Sequence, residues 1–467
     1  MDSQRFNLAQ GDIFSKLLLV SLPIVGSQLM LMGYNLVDMF LLGRVGSDAV
    51  AASGSAGMYM WLAGGLMLVG RMGAEIGVAQ AKGKRDKTGT EQFSRNSLFL
   101  ALALGLIAGT AFVFAPNQLI RFLNIQERHV AADAAEYLFI IGLGVAPTFL
   151  ASAVAGVFTG AGNSRAPFFV NAFGLALNAV LDPLFIFTFG MGVRGAAVAT
   201  ILAQSFACAL SLYWLLARKD RPFPSFSLWK RPAADFIRRI LRWTIPVSLE
   251  SMLFTAFAMV VARQIAIHGA DAITVFRVGS QAESLCWLIC TGFASGITAF
   301  VGQNFGAGKW TRIWRGVRIA LIAILVWGMM VTILFLTTGE WLTSLFVPED
   351  RIVRMGGTYL FILAFCQLFF CLESLAAGAF RGLGRTAPPS IASITSNALR
   401  VPVVHFLAAT SLGLNGIWIG ITLTATLRGL WVFLWFIKYA RSKPTRDSHQ
   451  SVRTTASSDV PSVRLIP

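Results

Sequence analysis

The sequence predicts an all-α polytopic membrane protein, with twelve transmembrane helices in two parallel six-helix lobes related by pseudo-two-fold symmetry along the membrane normal. Three observations lead there. Of 467 residues, 55% are hydrophobic and only 13% charged, and the mean hydropathy of +0.67 lies well above that of soluble globular domains. Apolar runs of about 20 residues, enough to cross a hydrocarbon core of roughly 30 Å, recur along almost the whole chain. The second half also repeats glycines and prolines of the first at a nearly constant spacing.

Taken in order, the runs lie near 15–42, 50–80, 96–115, 134–159, 168–189 and 195–217, then near 240–267, 272–301, 319–337, 355–380, 388–410 and 416–438. The first is a span and not a signal peptide, because it shows no short apolar region followed by a cleavage site. Outer-membrane strands are about 10 residues of alternating polarity, so these long, continuous runs exclude a barrel. Twelve of them joined by short connections leave too little polar sequence to cover a soluble protein.

The formal net charge of +17 raises the question of nucleic acid, and the position of the charge answers it. Lys82, Lys84, Arg85, Lys87 and Arg95 fall between the second and third runs, seven Lys or Arg lie in 218–239, and Lys309, Arg312, Arg315 and Arg318 follow the eighth run. The tail adds more. These are alternate connections, so one side of the membrane holds them all, while 43–49 and 411–415 on the other side are short and poor in Lys and Arg. By the positive-inside rule both termini and the basic connections face the cytoplasm of a multi-pass inner (plasma) membrane protein. Anionic lipid head groups account for the basic charge, so membrane lipids are expected partners and nucleic acid is not. Cys208, Cys286, Cys290, Cys366 and Cys371 all fall inside spans and read as small packing residues; Cys286 and Cys290, one turn apart, lack further ligands nearby.

The repeat is a duplication. At an offset of 223, Pro23 meets Pro246, Gly46 meets Gly269, Gly73 meets Gly296, Gln80 meets Gln303 and Gly83 meets Gly306. At 222, Tyr137 meets Tyr359, Gly156 meets Gly378, Gly160 meets Gly382 and Pro167 meets Pro389; at 221, Gly192 and Gly195 meet Gly413 and Gly416. Each copy holds six spans, an even number, so the copies are parallel rather than inverted. The expected organisation is a lobe at 1–217, a basic cytoplasmic linker at 218–238, a second lobe at 239–440 and a disordered cytoplasmic tail at 441–467. A cleft between the lobes suits alternating access.

Duplication supplies an internal control. A feature needed only for folding tends to appear in both copies, whereas a site breaks the symmetry. The acids break it: Asp38 corresponds to Val261, Asp182 to Val403 or its neighbour, Glu250 to Ser27, Glu283 to Met60 and Glu373 to Ala151. An aspartate near mid-membrane is disfavoured by about 2.5 to 3.5 kcal/mol on insertion scales, which marks it as functional by default. Asp182 and Thr200 each lie nine residues from the turn at Met191, level with one another. Asn178 is one turn from Asp182, Asp38 lies eight residues before Gly46 at a similar depth, and Tyr137 opens the fourth span from the same side. Two carboxylates, an amide, a hydroxyl and a phenol form a candidate cation or proton site, with oxygen ligands suited to Na⁺ at Asp38, Asn178, Asp182 and Thr200. Pro183 removes a backbone hydrogen bond directly after Asp182. Arg71 and Glu75, four apart, read as a structural ion pair. Glu250, Glu283 and Glu373 count to different depths, so their clustering is weaker.

The stretches LPIVGSQLMLMGYNLVDMFLLGRVG (22–46), NAVLDP (178–183), GVRGAAVAT (192–200), FVGQNFGAGK (300–309) and FRGLGRTAPP (380–389) resemble those of the MATE family, multidrug and toxic compound extrusion transporters. The resemblance covers about residues 10–440. It implies a twelve-helix, two-lobed exporter that exchanges H⁺ or Na⁺ for organic, often cationic, small molecules. The DinF-like branch and its archaeal relatives, the nearer match, use first-lobe residues that fall on Asp38, Tyr137, Asn178, Asp182 and Thr200, and Pro23 matches the proline of their bending first helix. The NorM-like branch stresses acids of the second lobe, where Glu250 looks like its glutamate of the seventh span, with Glu283 and Glu373 as further candidates.

The expected function is cation-coupled antiport by alternating access, with no enzyme activity, no catalytic residue, no cofactor beyond the transported H⁺ or Na⁺, and a monomeric chain. The alternative, a flippase for lipid-linked oligosaccharides, needs a basic cleft for pyrophosphate, whereas the central charges of the first lobe are acidic. No nucleotide-binding P-loop is present in the sequence, so energy comes from an ion gradient or a partner.

Overall fold

A computed structural model describes residues 6–123, 125, 127–217 and 231–442. Most of the linker and the tail beyond 442 lie outside the described residues. Among the described residues, twelve helices are long and apolar enough to cross a membrane. They are α1 (Ile13–Val45), α2 (Ser47–Gly83), α3 (Lys87–Phe114), α4 (Arg128–Gly160), α5 (Arg165–Pro183), α6 (Gly192–Ala217), α7 (Ala234–Ala266), α8 (Ala270–Gly306), α9 (Trp310–Ser344), α10 (Asp350–Gly382), α11 (Ala387–Ala408) and α12 (Gly413–Arg441). A short helix, Pro116–Phe122, follows α3, and α5 runs on through a π-helical turn at Leu184–Thr188.

The helices overrun the apolar runs, most of all at α3, which begins at Lys87 and not near residue 96, and at α9, which begins at Trp310. Their first turns are polar yet helical, because a helix needs apolar side chains only where hydrocarbon surrounds it. Local caps fix these starts. Asp86 accepts from the Gly89 amide at 2.8 Å to open α3, and Asp12 accepts from Ser15 at 2.8 Å to open α1. That amide holds the exposed Asp12 carboxyl below its ordinary pKa.

Twelve alternating helices put α1's start and α12's end at one pole, which also carries the Lys and Arg connections; it is called here the basic pole. The lobes are locked together there, and the contacts obey the duplication. Gln80 of α2 donates to the Gly382 carbonyl at 3.0 Å, and its counterpart Gln303 of α8 donates to the Gly160 carbonyl at 2.9 Å. A Cβ on Gly83 would collide with the Gln303 carbonyl, and one on Gly306 with the Gln80 carbonyl. At the opposite pole the packing loosens: Gly54, Gly57 and Gly64 of α2 face open space, and Trp61 is 70% exposed.

The hydrophobic cores do not follow the chain division. Leu17, Val20 and Ile24 of α1 pack in the core formed by α8 to α12, and their counterparts Ile240 and Trp243 of α7 pack in the core of the first lobe. Each lobe therefore lends the first half of its first helix to the other. The segment ahead of α1 goes the same way. The Leu8 amide donates to Gln303 Oε1 at 2.9 Å, Arg312 reaches the Leu8 carbonyl at 3.2 Å, and Lys309 donates to the Ala9 carbonyl at 2.9 Å.

A substitution at the backbone crossing tests whether this closed basic pole is a working state. Overpacking costs about 1–3 kcal/mol, and because the obstacle is a backbone carbonyl, relief requires the lobes to part. Gly83→Val should therefore lower the population of this conformation by about 5- to 150-fold. Spectroscopic distances between probes at the basic ends of α2 and α8 should lengthen, with Gly54→Val as the neutral control; unchanged distances would contradict the proposed lock.

Candidate functional site

Five first-lobe residues singled out in the sequence come together in space, and a sixth joins them. Asp182 and Asn178 are fully buried on α5, Thr200 and Tyr137 are buried on α6 and α4, and α1 brings Asp38. The sixth is Tyr34, one turn before Asp38 on the same face of α1. Asn178 Nδ2 donates to Asp182 Oδ1 at 3.0 Å, and the Tyr34 hydroxyl donates to Thr200 Oγ1 at 2.8 Å. The two carboxyl groups face one another, with both phenols close by.

The hydrogen-bond inventory of this cluster does not balance. Asp38 Oδ1, Asp182 Oδ2 and Asn178 Oδ1 are buried with no hydrogen-bond partner among the described residues. Buried polar atoms are ordinarily satisfied, and an orphan costs about 1–3 kcal/mol, more when charged. Ionised carboxylates only accept hydrogen bonds, so two in contact need either a proton between them or a cation. Among the described residues no Lys or Arg bonds to either aspartate. Unpartnered oxygens of hard-donor type on three neighbouring side chains suit a proton or a small hard cation.

The local sequence explains this placement. Asn178 and Asp182 share a face because they are four apart, and the helix continues past Pro183 only by widening into the π-turn, where the Phe189 amide reaches back to the Leu184 carbonyl at 2.9 Å. Gly195 lets α6 press directly on the backbone at Phe185. Pro23 sits inside an unbroken α1, in the half packed in the other lobe's core.

In the second lobe the three glutamates share an environment, although residue counting sets their helix positions at different depths. Ser390 donates to Glu250 Oε2 at 2.7 Å, Arg428 Nε donates to Glu373 Oε2 at 2.7 Å, and Arg428 Nη1 reaches Asn397 Oδ1 at 3.4 Å. Glu250 lies near Glu373, and Glu283 lies near Arg400, Arg428 and Gln367. Long Glu and Arg side chains span the difference in Cα depth that the residue count registered. Here two arginines offset three acids; the first-lobe pair has no such offset.

Arg71 and Glu75 also depart from the sequence reading. Glu75 is fully buried where α2 crosses α8, takes a hydrogen bond from Ser295 at 2.7 Å across the lobe boundary, and forms no ion pair with Arg71 within 4.0 Å. Tyr34, Arg428 and Glu75 were missed as candidates. Their duplicates are Phe257, Ala207 and Thr298: the symmetry test would have found Tyr34 and Arg428 if extended beyond the acids, and it already singles out Glu75, which its spacing from Arg71 led to be read as half of an ion pair.

Comparison with known proteins places this geometry. The MatE family model matches residues 23–184 and again 246–407, which are the two copies of the repeat. The chain is 29% identical over 435 residues to the probable multidrug resistance protein NorM of Thermotoga maritima, covering 91% of this chain and 92% of that protein. It is 27% identical over 443 residues to the probable multidrug resistance protein YpnP of Bacillus subtilis, covering 94% and 98%. Among solved structures, an outward-facing multidrug resistance MATE family transporter of the MOP superfamily superposes with a TM-score of 0.88 at 23% identity, over 94% of this chain and 99% of that one. A MATE in its straight conformation superposes equally well, at 0.88 with 24% identity over 94% and 98%.

Proposed function

The chain belongs to the MatE family, an assignment carried by matches to both of its halves, and on that premise we propose that it is a secondary active exporter. It exchanges H⁺ or Na⁺ for organic, often cationic, compounds by alternating access. The observation that carries this reading is the set of three unpartnered oxygens on Asp38, Asp182 and Asn178.

The mechanism follows from how α1 is shared. Its outer half carries Tyr34 and Asp38 into the first-lobe site, while Leu17, Val20 and Ile24 anchor its other half in the second-lobe core. A cation that reaches Asp38 and Asp182 relieves their mutual repulsion and lets α1 approach α5; the shift is passed along α1, through Pro23, to the opposite lobe. The cation and the exported compound need not touch, because a difference in affinity between two conformations couples them. With the basic pole at the cytoplasm, as the positive-inside rule assigns it, the closed pole faces the cell interior and the loose pole opens outward. Glu250, Glu283 and Glu373, compensated by arginines, shape the second half of the cleft. Arg428 is paired with Glu373, and Arg400 lies near Glu283 and Glu373, which leaves little uncompensated positive charge for the pyrophosphate of a lipid-linked oligosaccharide. A monomer suffices, since both lobes come from one chain.

Inverted membrane vesicles test the proposal. With the lumen standing for the cell exterior, an acid lumen or a Na⁺-loaded lumen should drive accumulation of ethidium, and collapse of that gradient should release it. Failure of both gradients to drive accumulation would refute cation-coupled export.

A further inference from the structure

Three thiols meet inside the second lobe. Cys286 and Cys290 lie one turn apart on α8, and α10 supplies the third, Cys371. Their sulfur atoms lie within 4.8 Å of one another, Cys290 Sγ and Cys371 Sγ are 3.3 Å apart, and the three residues are at most 1% exposed. The sequence argued against a metal because two thiols lacked further ligands; packing of α10 on α8 removes that objection. We propose that Cys286, Cys290 and Cys371 form a binding site for a thiophilic monovalent d¹⁰ cation, with Cu(I) the ion it fits.

Geometry and ligand chemistry agree. An ion held by three sulfurs at about 2.3 Å sets them about 4.0 Å apart in a plane, within the spread observed here. Gly328 of α9 backs the site: a Cβ there would press on Cys371 Sγ at 3.0 Å, so the glycine leaves the sulfur its room. A purely thiolate set selects Cu(I) over hard cations such as Na⁺ or Mg²⁺, and three ligands fall short of the four that structural zinc requires. Each ligating thiol gives up its proton as the ion binds, with no change of oxidation state.

Two further observations set these cysteines apart from filler. Their duplicates in the first lobe are Ala63, Met67 and Phe149, so the shared scaffold packs at these places without a thiol. Glu283, half-buried and one turn before Cys286, lies beside the triad and joins it to the polar cluster of the lobe. Bound metal would tie α8, which forms the crossing with α2 at the basic pole, to α10.

The test uses the full-length protein in detergent, reduced and kept anaerobic, with Cys208→Ser and Cys366→Ser so that the triad holds the only thiols. Cu(I) is supplied as its bathocuproine disulfonate complex. One Cu(I) per chain should leave the complex, and Cys290→Ser or Cys371→Ser should weaken capture at least tenfold. Should these variants fail to fold, the parent alone decides: one equivalent of Cu(I) should protect all three cysteines together from alkylation, read by mass spectrometry. An intact copper complex, capture unchanged in Cys290→Ser, unprotected thiols, or a Cys290–Cys371 disulfide formed in place of metal uptake would overturn the site.

Discussion

Asp38→Asn and Asp182→Asn are each expected to reduce gradient-driven export to the level of vesicles lacking the protein, while the protein stays folded in the membrane. Asn keeps the shape of Asp and one acceptor oxygen but can neither take up a proton at physiological pH nor neutralise a cation. If the facing carboxyl pair is where the driving ion binds, either replacement removes the difference in ion affinity between the two conformations, and a ligand with equal affinity for both shifts nothing. Stability should move the other way. Two unpaired carboxylates in contact repel, and an amide on one side supplies a donor to the other, so the melting temperature should hold or rise. Tyr34→Phe should cause a graded loss: removing the hydroxyl bonded to Thr200 at 2.8 Å is worth about 0.5–1.5 kcal/mol, or roughly a 2- to 12-fold weaker apparent ion affinity. The measurements are ethidium accumulation in inverted vesicles, membrane protein by immunoblot and thermal unfolding. Wild-type accumulation in either Asn variant would remove the first lobe from the coupling mechanism.

Much of this arrangement was legible in the sequence, because membrane insertion demands long apolar helices and duplication writes its own register. The pairs Gln80/Gln303 and Gly160/Gly382, matched by spacing alone, turn out to be hydrogen-bonded crosswise. The convergence of Asp38, Tyr137, Asn178, Asp182 and Thr200 followed from depth counting, which works where short side chains hold the atoms close to their helix axes. It fails for Glu250, Glu283, Glu373 and Arg428, whose long side chains meet across different levels. The exchange of α1 and α7 between cores was not legible at all. Leu17, Val20 and Ile24 announce that one face is buried, but no periodicity states which partner buries it. The thiol triad was hidden for the same reason: Cys286 and Cys290 are neighbours by spacing, whereas Cys371 joins them only through packing of α10 on α8.

The ion pair of Arg428 with Glu373 decides what the second lobe contributes. Both side chains are about nine-tenths buried, with Nε and Oε2 2.7 Å apart. Arg428→Ala leaves a buried carboxylate uncompensated, which costs about 3–5 kcal/mol, a large share of the 5–15 kcal/mol that holds a typical domain folded. A steep fall in folded yield and in melting temperature is therefore expected. Removing both charges, as Glu373→Gln with Arg428→Met, should recover most of that loss, because replacing a buried pair by neutral groups of similar volume is often close to neutral. The transport of this double variant then separates two roles that stability alone cannot. If the pair is a structural brace and the uncompensated aspartates of the first lobe carry the ion, the stable double variant exports ethidium at near wild-type rate. A stable double variant without transport would move the driving ion to Glu373, against the charge balance, in which two arginines offset the acids of the second lobe but no Lys or Arg among the described residues bonds to Asp38 or Asp182.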